Sequence, residues 1–205
     1  MKFADLTVAQ FLDALASSDP TPGGGTASAV AGAMATSLLV MVTGLAKSNT
    51  NSAEEKSALA AARQALRPLG TILSALAETD AAAFDEVMSA YRLAKATDDE
   101  KAARSAAIQK ALQGATMAPL RTLRACAEAM AHAGAVAASG HRSAVSDVGV
   151  AIGLLEAAAA GAEANVRINL ASVRDPRFAS ATGDESGRLV AEVTRQAAAA
   201  RARLA

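Results

Sequence analysis

Pro22-Gly-Gly-Gly-Thr-Ala-Ser-Ala-Val-Ala-Gly-Ala-Met-Ala-Thr-Ser-Leu-Leu-Val-Met-Val-Thr-Gly-Leu45 is the stretch on which the fold turns, and no charge follows it until Lys47. Three glycines in a row leave the backbone free to take left-handed or tightly turned conformations. The small and apolar residues after them read as a helix over about 26–46, in which Gly32 allows a close helix contact rather than an end. Gly23, Gly24 and Gly25 then stand at that helix's N-terminus, where unpaired N–H groups and the positive end of the dipole face outward. Such a position receives an anion or a carbonyl-bearing ligand. The simpler alternative is a tight turn feeding a buried helix. The loop lacks the Lys-Ser/Thr of a Walker loop and the spacing of a dinucleotide fingerprint.

The totals agree with a helical reading. Of 205 residues, 52% are hydrophobic but only 2% aromatic, with no Trp, so the apolar content is mainly Ala, Leu and Val. Alanine has the best helix propensity and lets helices approach closely, which predicts one all-α domain over 1–205, an antiparallel bundle of five to six helices. Small side chains bury little area each, so the core of one chain is thin and oligomerisation supplies further burial. Net charge is zero, which argues against nucleic acid or an anionic membrane surface as partner. Cys126 is the single cysteine, which excludes an internal disulfide and suits a cytoplasmic setting.

Pro20 to Ala46 is uncharged and long enough to span a bilayer. Its first half is Gly, Thr, Ser and Ala, however, and only Leu38–Val42 is strongly apolar. Met1–Ala16 contains Asp5 and Asp13 and has no basic-then-apolar signal pattern. The segment therefore reads as the central helix of a bundle, apolar all round because protein surrounds it.

Along the rest of the chain, Thr7 with Gln10 makes a capping box, followed by Val8, Phe11, Leu12 and Leu15 at helical spacing. Lys47–Ser52 is a polar loop, and a long helical pattern from Ala53 to about Lys95 is expected to kink or break near Pro68. At about 100° per residue, Asp80, Phe84, Val87 and Tyr91 share one stripe, so a carboxylate lies in line with an apolar face. A buried carboxylate needs a partner or a raised pKa, which marks Asp80 as a candidate functional group. Thr97–Glu100 opens a helix running towards Ala133 with a kink at Pro119. His132 and His141 lack further ligands for a zinc site, so no metal is expected.

Ser143–Leu170 is the second distinctive stretch. Ser143 or Ser146 is expected to cap its helix, with Asp147 in or near the first turn. Asp147 and Asn165 share a face, and in an unbroken helix they are about 27 Å apart at 1.5 Å per residue. One small pocket in one subunit does not reach both, whereas a pocket shared across a two-fold interface does. Turns are expected at Asp175–Pro176 and Gly183–Gly187, before a last helix ending near Arg203.

Pro20-Thr-Pro-Gly-Gly-Gly25, Asp80-x-x-x-Phe-Asp85 and Ser146-Asp-Val-Gly-Val-Ala151 followed by Asn165-Val-x-Ile-Asn169 together resemble the cyclodeaminase/cyclohydrolase family. Asp98–Leu112 is similar to the stand-alone bacterial methenyltetrahydrofolate cyclohydrolases. The resemblance implies a dimeric all-helical fold, a tetrahydrofolate derivative as substrate, and no metal or separate cofactor. The chain departs from the family pattern at Asn49–Ser52, where relatives tend to carry lysines, and at His141–Ser143, where they tend to carry asparagines. For hydrolysis of a methenyl cation it implies Asp147 or Asp80 as general base and Asp85 as a weaker candidate, with Tyr91 or Lys95 as proton donor. Pro22, Gly23, Gly24, Gly25, Ser146, Asn165 and Asn169 would hold the substrate. A cyclodeaminase and a non-catalytic folate-binding dimer are the alternative readings.

Overall fold

The computed structural model describes residues 3–45 and 51–204, and among them there are six α-helices and no strand. They are α1 (Val8–Leu15), α2 (Gly24–Gly44), α3 (Ala53–Tyr91), α4 (Asp98–Ser139), α5 (Val145–Leu170) and α6 (Pro176–Arg201), with 3-10 turns at Phe3–Asp5 and Arg142–Ala144. The all-α bundle expected from the alanine content is present.

Each start is written locally. Thr7 with Gln10, Ser52 with Glu55 and Thr97 with Glu100 form reciprocal capping boxes for α1, α3 and α4. Asp175 accepts from the Arg177 and Phe178 amides to start α6, whose first residue is Pro176. The α5 start differs from expectation. Ala144 occupies the cap without a side-chain bond, and His141 instead accepts from the Ser143 amide to cap the preceding 3-10 turn, so neither Ser143 nor Ser146 caps α5. Asp147 does lie in the first turn.

Two breaks expected from sequence, near Pro68 and at Gly183–Gly187, are absent. The α3 helix runs through Pro68 and α4 through Pro119. Pro68 is exposed, so the carbonyl that loses its partner can turn to water, while Leu66, Leu69 and Leu73 hold the inner side in the core. Gly183 and Gly187 lie inside α6, where the buried Thr182, Ser186 and Val193 keep the helix seated on the bundle. The α4 helix also continues past Ala133 to Ser139. Of the polar loop Lys47–Ser52, residues 47–50 lie outside the described residues; Asn51 is buried and donates from Nδ2 to Ser139 O at 3.1 Å.

The α2 helix packs against α3 on one side and α5 on the other, and α4, which touches α2, α3, α5 and α6, completes the core. The α2 helix runs antiparallel to both α3 and α5. Its start lies against the later half of α3, at Asp80, and against the later half of α5, at Gly161 and Asn165. The close approach expected at Gly32 is real: a Cβ there would sit 3.0 Å from Cys126 Sγ and 3.1 Å from Leu73 Cδ2. The main core is Ala, Leu and Val from α2 to α6, with Leu39, Leu66, Leu73, Leu123, Ile152 and Leu155 fully buried.

The outer layer is less complete. The α1 helix buries no residue, and Val8 and Leu12 are 77% and 57% exposed. Met34 and Met41 are also exposed on the outward side of α2. Both α2 and the stretch Arg142–Leu170 are long and apolar enough to cross a membrane; α2 packs on α3, α4 and α5, but its outward side, with Met34 and Met41, is exposed, so protein does not surround it on all sides as expected.

Candidate functional site

Gly23 caps α2 and has no side chain with which to bond the free amides of the first turn. A neighbouring helix does this work. Asp80 reaches across from α3, and the hydroxyl of the fully buried Thr26 donates to Asp80 Oδ2 at 3.0 Å. A carboxylate beside the positive end of a helix dipole is favourably placed. The anion at this helix start is thus the protein's own.

Gly25 is required for space rather than for backbone freedom, whereas a Cβ on Gly23 or Gly24 would make only an ordinary contact. Among the described residues no glycine takes a positive φ, and Gly23 itself is extended at φ −124° and ψ −159°. A Cβ on Gly25 would fall 2.3 Å from Asp80 Oδ1 and 2.6 Å from its Cγ. Gly24, the exposed member, would place a Cβ 3.6 Å from Asn165 Nδ2. Pro22, whose peptide bond from Thr21 is cis, is buried behind them.

Asp80 is half-buried, and that burial pushes its pKa up from the ordinary 3.8, against the opposing pull of the Thr26 hydroxyl and backbone amide. On the other flank, Asn165 donates from Nδ2 to Gly161 O at 2.8 Å within α5. One turn later Asn169 donates to Ala115 O of α4 at 2.8 Å. Ser28 and Gly161 close the seam between α2 and α5: Ser28 Oγ donates to Gly24 O at 2.7 Å and stands where a Gly161 side chain would begin.

One end of the bundle therefore assembles Pro22, Gly23, Gly24, Gly25, Asp80, Asn165 and, a turn away, Asn169. The other sequence candidates lie elsewhere within the chain. Asp85 is exposed, five residues on from Asp80 and well round the helix. Tyr91 closes α3 about 16 Å farther along at 1.5 Å per residue. It is 45% exposed and is covered by Arg104, whose guanidinium lies 5.6 Å from the ring centre and bonds the Tyr91 carbonyl. Lys95 is exposed beyond the end of α3. Ser146 and Asp147 sit at the opposite end of an unbroken α5, so the separation of about 27 Å from Asn165 holds within one chain.

Two grooves open elsewhere, along α2 and α3. One, of about 790 Å³, is lined by Thr36, Arg67, Ser74 and Glu78, and the other, of about 820 Å³, by Phe11, Leu12, Met34 and Met41. Neither is lined by the glycine loop, Asp80 or Asn165. His141 turns back on its own loop, with Nδ1 2.7 Å from Ser143 Oγ.

Sequence reasoning passed over Thr26, Ser28 and Gly161. Thr26 had a visible signal, a hydroxyl in the first turn of an uncharged helix directly after the glycine loop. Gly161 had none, because only the fold brings it against Ser28.

The chain matches the family described as formiminotransferase-cyclodeaminase over residues 7–187. It is 41% identical over 186 residues to a methenyltetrahydrofolate cyclohydrolase of Methylorubrum extorquens, an alignment spanning 91% of this chain and 89% of that protein. A formimidoyltransferase-cyclodeaminase of Sus scrofa is 32% identical over 191 residues, covering 92% of this chain but 35% of the longer pig protein. A solved structure described as formiminotetrahydrofolate cyclodeaminase from Thermotoga maritima superposes with a TM-score of 0.87 at 26% identity, covering 99% of this chain and 98% of that one.

Proposed function

Because this chain belongs to the formiminotransferase-cyclodeaminase family, we propose that it is a methenyltetrahydrofolate cyclohydrolase, converting 5,10-methenyltetrahydrofolate to 10-formyltetrahydrofolate. The observation that carries the reading is the 41% identity to the cyclohydrolase of Methylorubrum extorquens along nearly the full length of both chains. The mammalian relatives carry their matching segment inside much longer proteins.

The substrate is a cation delocalised over N5, one carbon and N10. Water adds to that carbon, the bond from carbon to N5 breaks, and a formyl group remains on N10. Of the two water protons, one ends on N5 and the other in solvent. A carboxylate with a raised pKa suits both removing the first proton and handing it to N5. Asp80 has the burial and the fixed orientation for this role, and its negative charge at the α2 start favours a cationic ring. That attraction accelerates the reaction only where it strengthens in the transition state. Gly23, Gly24, Asn165 and Asn169 line the same end and would hold the pterin.

Asp147 and Ser146 enter the site only if a second chain brings its α5 start to this end. We therefore read the working enzyme as a cytoplasmic homodimer with pockets completed between subunits. The thin alanine core and the exposed Val8, Leu12, Met34 and Met41 support a partner surface on the chain. Tyr91 and Lys95 are the proton donors to be tested in that arrangement. The resemblance to the Thermotoga maritima protein favours a second reading, release of ammonia from 5-formiminotetrahydrofolate through the analogous amino adduct.

The test follows loss of methenyltetrahydrofolate absorbance above its spontaneous hydrolysis. The parent protein accelerates it, and Asp80→Asn reduces kcat by about 10²- to 10⁴-fold. No acceleration by the parent removes the cyclohydrolase reading, and ammonia release from the formimino substrate would replace it. Sedimentation equilibrium reports the dimer; a fully active monomer removes the shared pocket and with it any role for Asp147.

A further inference from the structure

We propose that Thr26 is a positioning residue of this site, its hydroxyl fixing the Asp80 carboxylate over Gly25 in the orientation the reaction needs. The inference rests on the reading of Asp80 as the proton-transfer group. It begins from geometry that neither helix dictates alone. Asp80 is on α3, Thr26 in the first turn of α2, and the bond between them is 3.0 Å. Thr26 is fully buried, so its hydroxyl has no water to turn to and bonds the one carboxylate beside it. Gly25 supplies the seat, since any side chain there would meet Oδ1. The carboxylate is therefore held at one oxygen and bounded at the other.

A carboxylate held by one hydroxyl has fewer orientations than one rotating freely, and preorganisation of a proton-transfer group is a large part of enzymatic rate. The hydroxyl also acts on the charge. The groups bearing on Asp80 are its burial and the Thr26 hydroxyl and backbone amide, with no charged side chain among them. The α2 helix contains no charged residue between Gly24 and Gly44, and the polar group that α5 brings to this start is the neutral Asn165. Thr26 is thus the chief lever opposing the desolvation of Asp80. Removing the hydroxyl pushes the carboxyl pKa further up; retaining it in a serine leaves it in place.

The experiment compares Thr26→Val, Thr26→Ser and Asp80→Asn with the parent. Carbon-13 NMR titration of the Asp80 carboxyl, identified by the peak missing in Asp80→Asn, reads the ionisation without any substrate. Its midpoint rises in Thr26→Val and stays near the parent's in Thr26→Ser. In the hydrolysis assay kcat falls about ten- to a hundredfold in Thr26→Val. The pH at which activity appears moves upward with the NMR midpoint, and the serine variant restores both. A buried valine that only loosened packing would lower thermal stability but move neither midpoint. An unmoved titration in a folded Thr26→Val overturns the proposal. A moved titration with full activity in Asp80→Asn instead overturns the assignment of Asp80 to the reaction, and Thr26 then tunes a carboxylate that catalysis does not use. Should Thr26→Val not fold, Thr26→Ala and Thr26→Cys serve, and unchanged midpoints in both overturn the proposal equally.

Discussion

Gly25 and Asp80 leave no room for a methyl group between them: a Cβ on the glycine would lie 2.3 Å from Asp80 Oδ1, closer than non-bonded atoms approach. Two helices distant in sequence meet here, and the contact fixes both the residue type on one and the side-chain orientation on the other. Substituting Gly25→Ala forces the carboxylate off its bond with Thr26, since the short aspartate side chain cannot retreat and stay bonded. We expect a loss of about 1–3 kcal/mol in urea denaturation, the sum of overpacking and a displaced buried charge. Hydrolysis should fall with it. A fully stable, fully active Gly25→Ala would show that the seat is looser than the geometry indicates.

The ionisation of Asp80 couples stability to pH with a definite sign. Its pKa is raised by burial above the ordinary 3.8, so the folded chain holds this proton more tightly than the unfolded chain. Its stabilising contribution is complete below about 3.8 and is lost as pH climbs through the raised folded value. Stability of the parent relative to Asp80→Asn should therefore improve as pH falls from neutrality through the carboxylate range. Activity moves the opposite way, because a general base must be ionised. Urea unfolding of both proteins at several pH values measures the difference, and a parent that loses stability relative to Asp80→Asn on acidification contradicts the burial argument.

Ser28 and Gly161 offer a double-mutant cycle across the α2–α5 seam. A Cβ on Gly161 would meet Ser28 Oγ at 2.3 Å but Ser28 Cβ only at 3.5 Å, an ordinary contact. Gly161→Ala alone must turn the serine hydroxyl away from Gly24 O, at a cost of about 1 kcal/mol, partly offset by alanine's helix propensity. With Ser28→Ala already present the same change should be neutral or stabilising. Thermal melts of the four proteins give the coupling; strict additivity would mean that the two residues do not share the space.

Cys126 is fully buried, and desolvation pushes its thiol pKa up to about 12. A thiol reacts as thiolate, so the native protein should resist iodoacetamide at neutral pH and be labelled stoichiometrically in denaturant. Rapid native labelling, followed by mass spectrometry, would indicate opening of the α2–α4 contact that Gly32 allows.

Much of the fold was legible locally. The Thr7–Gln10 capping box and the helix opening at Thr97–Glu100 appear as expected, whereas Asp175–Pro176, which reads as a turn, is the start of α6, and the Ser52–Glu55 box lies at the end of a stretch that reads as a loop. Expectations failed where tertiary packing overrode local preference. Pro68, Gly183 and Gly187 each disfavour a helix, and each lies inside one because neighbours on both sides are anchored in the core. The site was half legible: Asp80 stood out as a carboxylate on an apolar stripe, whereas its partner Thr26 did not.

By itself the sequence determined that this chain is an alanine-rich helical bundle, because helix propensity, capping and the 3.6-residue period are properties of neighbours along the chain. It also marked the glycine loop and Asp80 as belonging to one family pattern. Only the tertiary structure decided what the glycines are for. Read locally, three glycines mean backbone freedom, yet none of the described glycines uses a positive φ. Gly25 is small because Asp80 of α3 lies against the start of α2, while Gly23 and Gly24 face only ordinary contacts. Steric room is a relation between segments far apart in sequence, and it exists only once the helices have packed.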